Sequence, residues 1–178
     1  MVSVRKAKIK QTHITMIIAD QFKETLKGDR TMKIEIPHSL ILEHEELHAE
    51  LVEATKAGGA TGEAAKGVAK VLHPHFLKEE EYAMPPLGLL SVLAKGQVTP
   101  KMGEILTMID RLKAELPEML EEHAAIVAAL KILTEASIKE NKMDYARFAE
   151  KLTLHAKTEE DVLYPASLLI GEYIKIML

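Results

Sequence analysis

His75 and Glu79 stand four residues apart with Glu80 directly behind, and the same spacing returns at His155, Glu159 and Glu160. On a helix, residues four apart lie one above the other on a single face. The apolar residues around each pair say which face. Val68, Leu72, His75, Glu79 and Tyr82 fall on one stripe, and Phe148, Leu152, His155, Glu159 and Val162 on another, with identical intervals. The imidazoles and carboxylates are therefore expected to point inward. An ionised carboxylate buried without a partner is very costly, and a buried imidazole also needs one. Two such pairs facing each other would repel unless a cation lay between them, and mixed imidazole and carboxylate ligation suits iron while tolerating manganese or zinc.

The two pairs belong to a longer repeat. Glu43-His44 and Glu122-His123 form a second matched element upstream of each pair, and their offset agrees with that of the His-Glu pairs to within one residue. Pro85 and Pro165 follow the two pairs at the same distance. Two unrelated elements sharing one offset imply duplication of a two-helix unit. His48, one helical turn after His44, is the fifth imidazole on or beside a stripe. The candidate ligand set is His44, His48, His75, Glu79, His123, His155 and Glu159, with Glu80, Glu160, Tyr82 and Tyr164 as alternative ligands or supporting donors. Two cations bridged by two carboxylates would use that set. His13, His38 and His73 read as surface or capping residues.

The elements that must position these groups are helical. The chain has 178 residues, 47% hydrophobic and 28% charged, with few aromatics and no Trp. That composition suits one soluble domain rich in helix formers. A net charge of -4 gives no indication of a nucleic-acid or acidic-membrane partner. With no Cys there are no disulfides, thiolate chemistry or iron–sulfur clusters. No apolar run is long enough to span a membrane and no signal-peptide pattern opens the chain, so a cytoplasmic protein is expected.

Residues 1–35 lie outside the repeat and read as an N-terminal arm. It begins with Arg5, Lys6, Lys8 and Lys10, and a short helix is expected over Ile14 to Lys27, closed by Gly28. Residues 36–178 read as an all-α, up-down four-helix bundle with a dinuclear metal site in its core. Helix 1 is expected from Pro37 to about Lys56, with the stripe Leu40, His44, Leu47, Leu51 and Ala54. The Gly58 to Gly62 loop lacks the features of a phosphate-binding loop. Helix 2 should run from Glu63 to Glu81 and end at Pro85-Pro86, followed by a short connecting helix over Leu87 to Ala94. Thr99-Pro100 marks the start of helix 3, which continues towards Ser137 with a kink or break at Pro117. Helix 4 begins at Asn141 to Asp144, Pro165 bends the chain, and Leu168 to Leu178 adds a final helical turn or two.

Two rival readings use the same residues. His44-Glu45-Glu46-Leu47-His48 matches the His-Glu-x-x-His helix of zinc peptidases, with Glu45 as base. It accounts for two of the histidines and leaves the others unexplained. A ferritin-like di-iron oxidase needs Glu-x-x-His on two helices. Glu45 to His48 supplies one copy, and Pro37 breaks the other at Glu35 to His38.

The pattern as a whole resembles the hemerythrin-like, or His-His-Glu cation-binding, family. The residues that carry the likeness are Glu43-His44, His75 to Glu79, Glu122-His123, His155 to Glu159 and Leu163-Tyr164-Pro165, over roughly residues 36 to 170. The resemblance implies a four-helix bundle with a non-haem di-iron centre that binds dioxygen or nitric oxide, for storage, sensing or protection against redox stress. Oxygen-carrying members place an extra His one turn later on helix 3. Here that position is Val127, and the second His of such a pair is His48 on helix 1. Either the internal twofold moves the fifth imidazole to helix 1, or the site holds four. Leu72, Ile126 and Leu152 would keep water away, and Tyr82, on the ligand stripe, could donate a hydrogen bond. No residue reads as a substrate-specific acid, base or nucleophile.

Overall fold

The computed structural model describes residues 34–178. The helix expected over Ile14 to Lys27 lies outside them. All regular structure among the described residues is helical. Four long helices dominate: α1 (His38–Thr55), α2 (Gly59–Lys78), α4 (Leu106–Lys139) and α5 (Met143–Thr158). The short α3 (Leu90–Leu93) lies between α2 and α4, and α6 (Tyr164–Met177) closes the chain.

Two tight connections set the topology. Lys56 to Gly58 joins α1 to α2, and Glu140 to Lys142 joins α4 to α5. Gly58, Gly59 and Asn141 take positive φ (68°, 63° and 56°), where glycine and asparagine are tolerated best. The two turns meet at one end of the bundle. The Glu140 carboxylate accepts hydrogen bonds from the Ala60 and Thr61 backbone N–H groups and from the Thr61 hydroxyl. It thus satisfies free donors at the start of α2, as a capping side chain would, but from across the bundle. Lys142 Nζ donates in return to the Ala57 and Gly58 carbonyls, each at 3.0 Å. With both turns at one end, each helix runs antiparallel to the one that follows it. α2 packs on α4, α4 on α5, and α1 on both α2 and α5, giving an up-down bundle.

The core is split. One apolar cluster joins Leu47, Leu51, Val68, Leu72, Phe76, Ile126, Leu130, Phe148 and Leu152 from all four long helices. A second holds Tyr82, Ala83, Leu112, Met119 and Tyr164. Burying each large side chain contributes about 1.5–3 kcal/mol. The polar residues of interest are the ones buried besides these, His44, His75, Glu79, His123, His155 and Glu159, each at most 4% exposed.

Several local expectations change. α2 starts at Gly59 and passes through Pro74, and α4 passes through Pro117 without a break. Each proline removes one backbone bond, and packing along the rest of these long helices holds them together. Pro100 opens a 3₁₀ turn (Pro100–Ile105) that leads into α4, but the Thr99 side chain makes no capping bond. Pro165 belongs to the first turn of α6 instead of bending the chain away, and α6 is longer than the turn or two expected. Gly88 and Gly171 permit close approach: a Cβ on Gly88 would collide with the Glu35 backbone, and one on Gly171 with Ile109.

Candidate metal centre

Each long helix contributes one imidazole to the same level of the bundle: His44 from α1, His75 from α2, His123 from α4 and His155 from α5. The carboxylates arrive just beyond α2 and α5. There the chain widens into single π-helical turns, Glu79–Ala83 and Glu159–Leu163. Their cause is local. The Met84 N–H reaches the Glu79 carbonyl at 2.8 Å and the Tyr164 N–H reaches that of Glu159, each five residues back. The residues that follow, Pro85 and Pro165, have no N–H with which to continue an α-helical ladder. One extra residue is accommodated in each half, at the ligand carboxylate. Such bulges are frequent at functional sites.

The six inward groups form two sets. Glu79 Oε1 lies 3.1 Å from His75 Nε2 and 3.8 Å from His123 Nε2, while its Oε2 faces His44 Nε2 at 3.8 Å. Glu159 mirrors this. Its Oε1 lies 3.1 Å from His155 Nε2 and 3.6 Å from His44 Nε2, and its Oε2 faces His123 Nε2 at 3.4 Å. Thus each carboxylate turns one oxygen to each pair of imidazoles. Ligand atoms of His75, Glu79, His123 and Glu159 all lie within 4.8 Å of one another, as do those of His44, His155 and Glu159.

The outer face of every ring is held by a different acid. Nδ1 of His44 lies 3.1 Å from Glu80, and Nδ1 of His75 2.7 Å from Glu122. Nδ1 of His123 lies 3.0 Å from Glu160, and Nδ1 of His155 3.2 Å from Glu43. An imidazole whose Nδ1–H is donated to a carboxylate presents Nε2 as a lone pair in a fixed direction, as metal-ligating histidines commonly do. Phe76 stacks flat on the His44 ring, 4.1 Å between centroids and 8° between planes.

Several inner atoms have no hydrogen-bond partner although fully buried: His44 Nε2, His155 Nε2, Glu79 Oε2 and Glu159 Oε1. Buried polar atoms are rarely left unpaired. His44 Nε2, His155 Nε2 and Glu159 Oε1 lie close together and Glu79 Oε2 faces His44 Nε2 from 3.8 Å, so a cation among them would supply the partner they lack. The donor set therefore fits a metal ion. Without one, charge must be shared among the residues themselves. Burial opposes protonation of His44, but the Glu159 and Glu80 carboxylates outweigh it and raise its pKa to about 9. His123 is likewise disfavoured by burial and raised to about 10 by Glu159 and Glu79. His75 and His155 also shift upward, through Glu79 and Glu159 respectively. Burial works against the charge on Glu159, yet the neighbouring His123, His155 and His44 imidazoles hold its carboxyl well below the usual range.

Tyr164 enters the centre from the start of α6. Its hydroxyl donates to Glu79 Oε1 at 2.5 Å and lies 3.2 Å from His123 Nε2 and 3.4 Å from His75 Nε2. Tyr82 does not reach the centre. It is buried on the expected stripe, but its hydroxyl donates to Glu115 at 2.8 Å, and Arg111 covers its ring. The two stripes end differently after equivalent π-helical turns: Tyr82 is buried, whereas Val162 at the matching position is exposed and Tyr164 is buried two residues on.

Of the expected ligands, His44, His75, Glu79, His123, His155 and Glu159 are brought together, and His48 is not. It is exposed on α1, its ring 6.4 Å from that of His73, beside a surface groove of about 380 Å³ whose lining includes Leu51, Lys70 and Phe76. Glu45 is also exposed, so His44, Glu45 and His48 do not converge on one point. The buried line of α1 runs through His44, Leu47, Leu51 and Ala54, and His48 falls beside it. Glu43 and Glu122, each directly before an inward histidine, are supporting acids that the stripes alone do not reveal. Glu80 and Glu160, directly after a ligand carboxylate, do the same work.

Comparison of the chain with protein-family models, with curated proteins and with solved structures found no match.

Proposed function

We propose that this protein is a dimetal-binding protein of hemerythrin-like type. In this reading His75 and His123 would hold one ion and His44 and His155 the other, with Glu79 and Glu159 shared between the two. The observation that carries it is the way each buried carboxylate divides its two oxygens between two pairs of inward Nε2 atoms. A single ion would leave half of that set buried and unpaired. Iron suits mixed imidazole and carboxylate ligation, and zinc and manganese are the other candidates. Two iron ions held there would supply electrons and a coordination position for dioxygen or nitric oxide, the small molecules this reading assigns.

The chain's own residues do the rest. Glu43, Glu80, Glu122 and Glu160 orient the rings and keep Nε2 free for the metal. Leu72, Ile126 and Leu152, each at most 2% exposed, keep water from the inner side. Lys78 donates to Glu122 and Lys157 to Glu160, so two of the four outer acids are partly neutralised and steadied.

The test is metal content joined to spectroscopy on protein prepared without air. Two irons per chain, with near-ultraviolet charge-transfer bands of a bridged ferric pair on oxidation and a reversible spectral change with nitric oxide, are expected. One zinc per chain and no response to either gas would contradict the proposal.

A further inference from the structure

The two halves of the centre are related by the repeat, yet they are not equivalent. Five residues after Glu159 stands Tyr164, and five residues after Glu79 stands Met84. Both follow a π-helical turn whose last bond runs back to the ligand carboxylate's own carbonyl, and both are fully buried. Only one of them carries an oxygen.

That oxygen lies among three ligand atoms. Tyr164 Oη is 2.5 Å from Glu79 Oε1, 3.2 Å from His123 Nε2 and 3.4 Å from His75 Nε2. A tyrosine that served only to steady Glu79 would need the first contact and not the other two. Moreover, the atoms of the centre that are buried without partners, His44 Nε2, His155 Nε2, Glu79 Oε2 and Glu159 Oε1, all belong to the opposite side. Beyond the carboxylates that serve both sides, one side of the centre offers a tyrosine oxygen and the other, at Met84, does not.

We propose that Tyr164 is itself a metal ligand, on the ion held by His75 and His123, and that the His44 and His155 side is therefore the one open to a small external ligand. This deepens the dimetal reading and rests on it. The balance is simple. The Tyr164 O–H bond breaks, the proton leaves to solvent, and the oxygen's electron pair forms a bond to the cation. No oxidant or reductant takes part. Glu79 Oε1, which accepts that hydroxyl in the metal-free chain, is freed to face the same ion. An anionic oxygen donor favours the ferric over the ferrous state, so the two ions should differ in the ease with which they are reduced.

The experiment is to load the full chain with ferric iron and record visible absorption and resonance Raman spectra. The wild type should show a visible charge-transfer band and ring vibrations of an iron-bound tyrosine. Tyr164→Phe should keep two irons per chain and lose both signals, whereas Tyr82→Phe should keep both. Persistence of the signals in Tyr164→Phe, or their absence from a wild type that holds two irons, overturns the assignment of Tyr164 alone. If Tyr164→Phe does not fold or does not load, wild-type protein with ring-deuterated tyrosine decides. Shifted Raman modes support the assignment, and no tyrosine modes overturn it. A wild-type chain that takes up no iron overturns the dimetal reading and this inference with it.

Discussion

At the scale of single residues, the centre depends on acids that never face it. Glu122 holds His75 at 2.7 Å and is itself held by Lys78. Burial works against its charge, but His75 and Lys78 keep its carboxyl below the usual range, so it is an acceptor at neutral pH. Supporting carboxylates of this kind typically alter metal affinity by about 10- to 100-fold. Glu122→Gln should weaken metal binding by about that factor while leaving the helical content unchanged, measured by competition with a chelator. Glu45→Gln, at an exposed position one residue from His44, should leave affinity unaltered. A loss with Glu45→Gln would point instead to a site built around His48.

At the scale of elements, two features test how the helices are fixed. Glu140 ties the start of α2 to the turn before α5. Lys142, the Thr61 hydroxyl and the Ala60 N–H lower its pKa to about 2. A carboxyl depressed in the folded state contributes stability above its unfolded pKa, about 4.3, and loses it as pH falls towards about 2. Glu140→Gln should therefore lower the urea midpoint at pH 7, and the gap from wild type should close as the pH falls from about 4 to 2. Equal destabilisation across that range would mean that the bond geometry matters and the charge does not. The second feature is the contact of α6 with α4. A Cβ on Gly171 meets Ile109 head on. Gly171→Ala should cost about 1–3 kcal/mol by overpacking. Ile109→Val made in the same chain should recover part of it, since the two sites touch and their effects should not add.

The elements also show what could be read in the chain beforehand. The helices and their inward faces follow from stripes such as Leu47, Leu51 and Ala54 with His44, because 3.6-residue periodicity is a strong signal. The six inward imidazoles and carboxylates follow from the same lines. The π-helical turns do not, since a one-residue widening leaves no mark in composition. The prolines at Pro85 and Pro165 read as ends of helices and not as the cause of a register shift. Val162, on the regular stripe, is exposed, and of the two tyrosines it is Tyr164, off the stripe, that reaches the centre. His48 was misplaced for the opposite reason. Its spacing from His44 fits an inward face, but the buried line of α1 passes through Leu47 and Leu51 and leaves His48 beside it.

At the scale of the whole molecule, metal and stability should be coupled. A ligand that binds only the folded state stabilises it by about 2.7 kcal/mol at a hundredfold excess over Kd. Removing the metal should lower the melting temperature and leave a fold held at its centre by imidazolium–carboxylate pairs. For His44 and His123, folded pKa values raised to about 9 and about 10 mean stability that is present below pH 6.5 and lost as pH rises through those values. The metal-free protein should therefore weaken between about pH 7 and 10. The loaded protein should not, because metal binding requires the same imidazoles neutral and displaces their protons. Thermal unfolding of both forms across that range provides the comparison, and identical pH profiles would contradict it.

The most direct measurement is X-ray diffraction at the iron absorption edge on crystals of the iron-loaded protein. Two anomalous peaks are expected, one between His75 and His123 and one between His44 and His155, with Glu79 and Glu159 spanning both. A single peak, or metal found only near His48 and His73 on the surface, would contradict a shared dimetal cage.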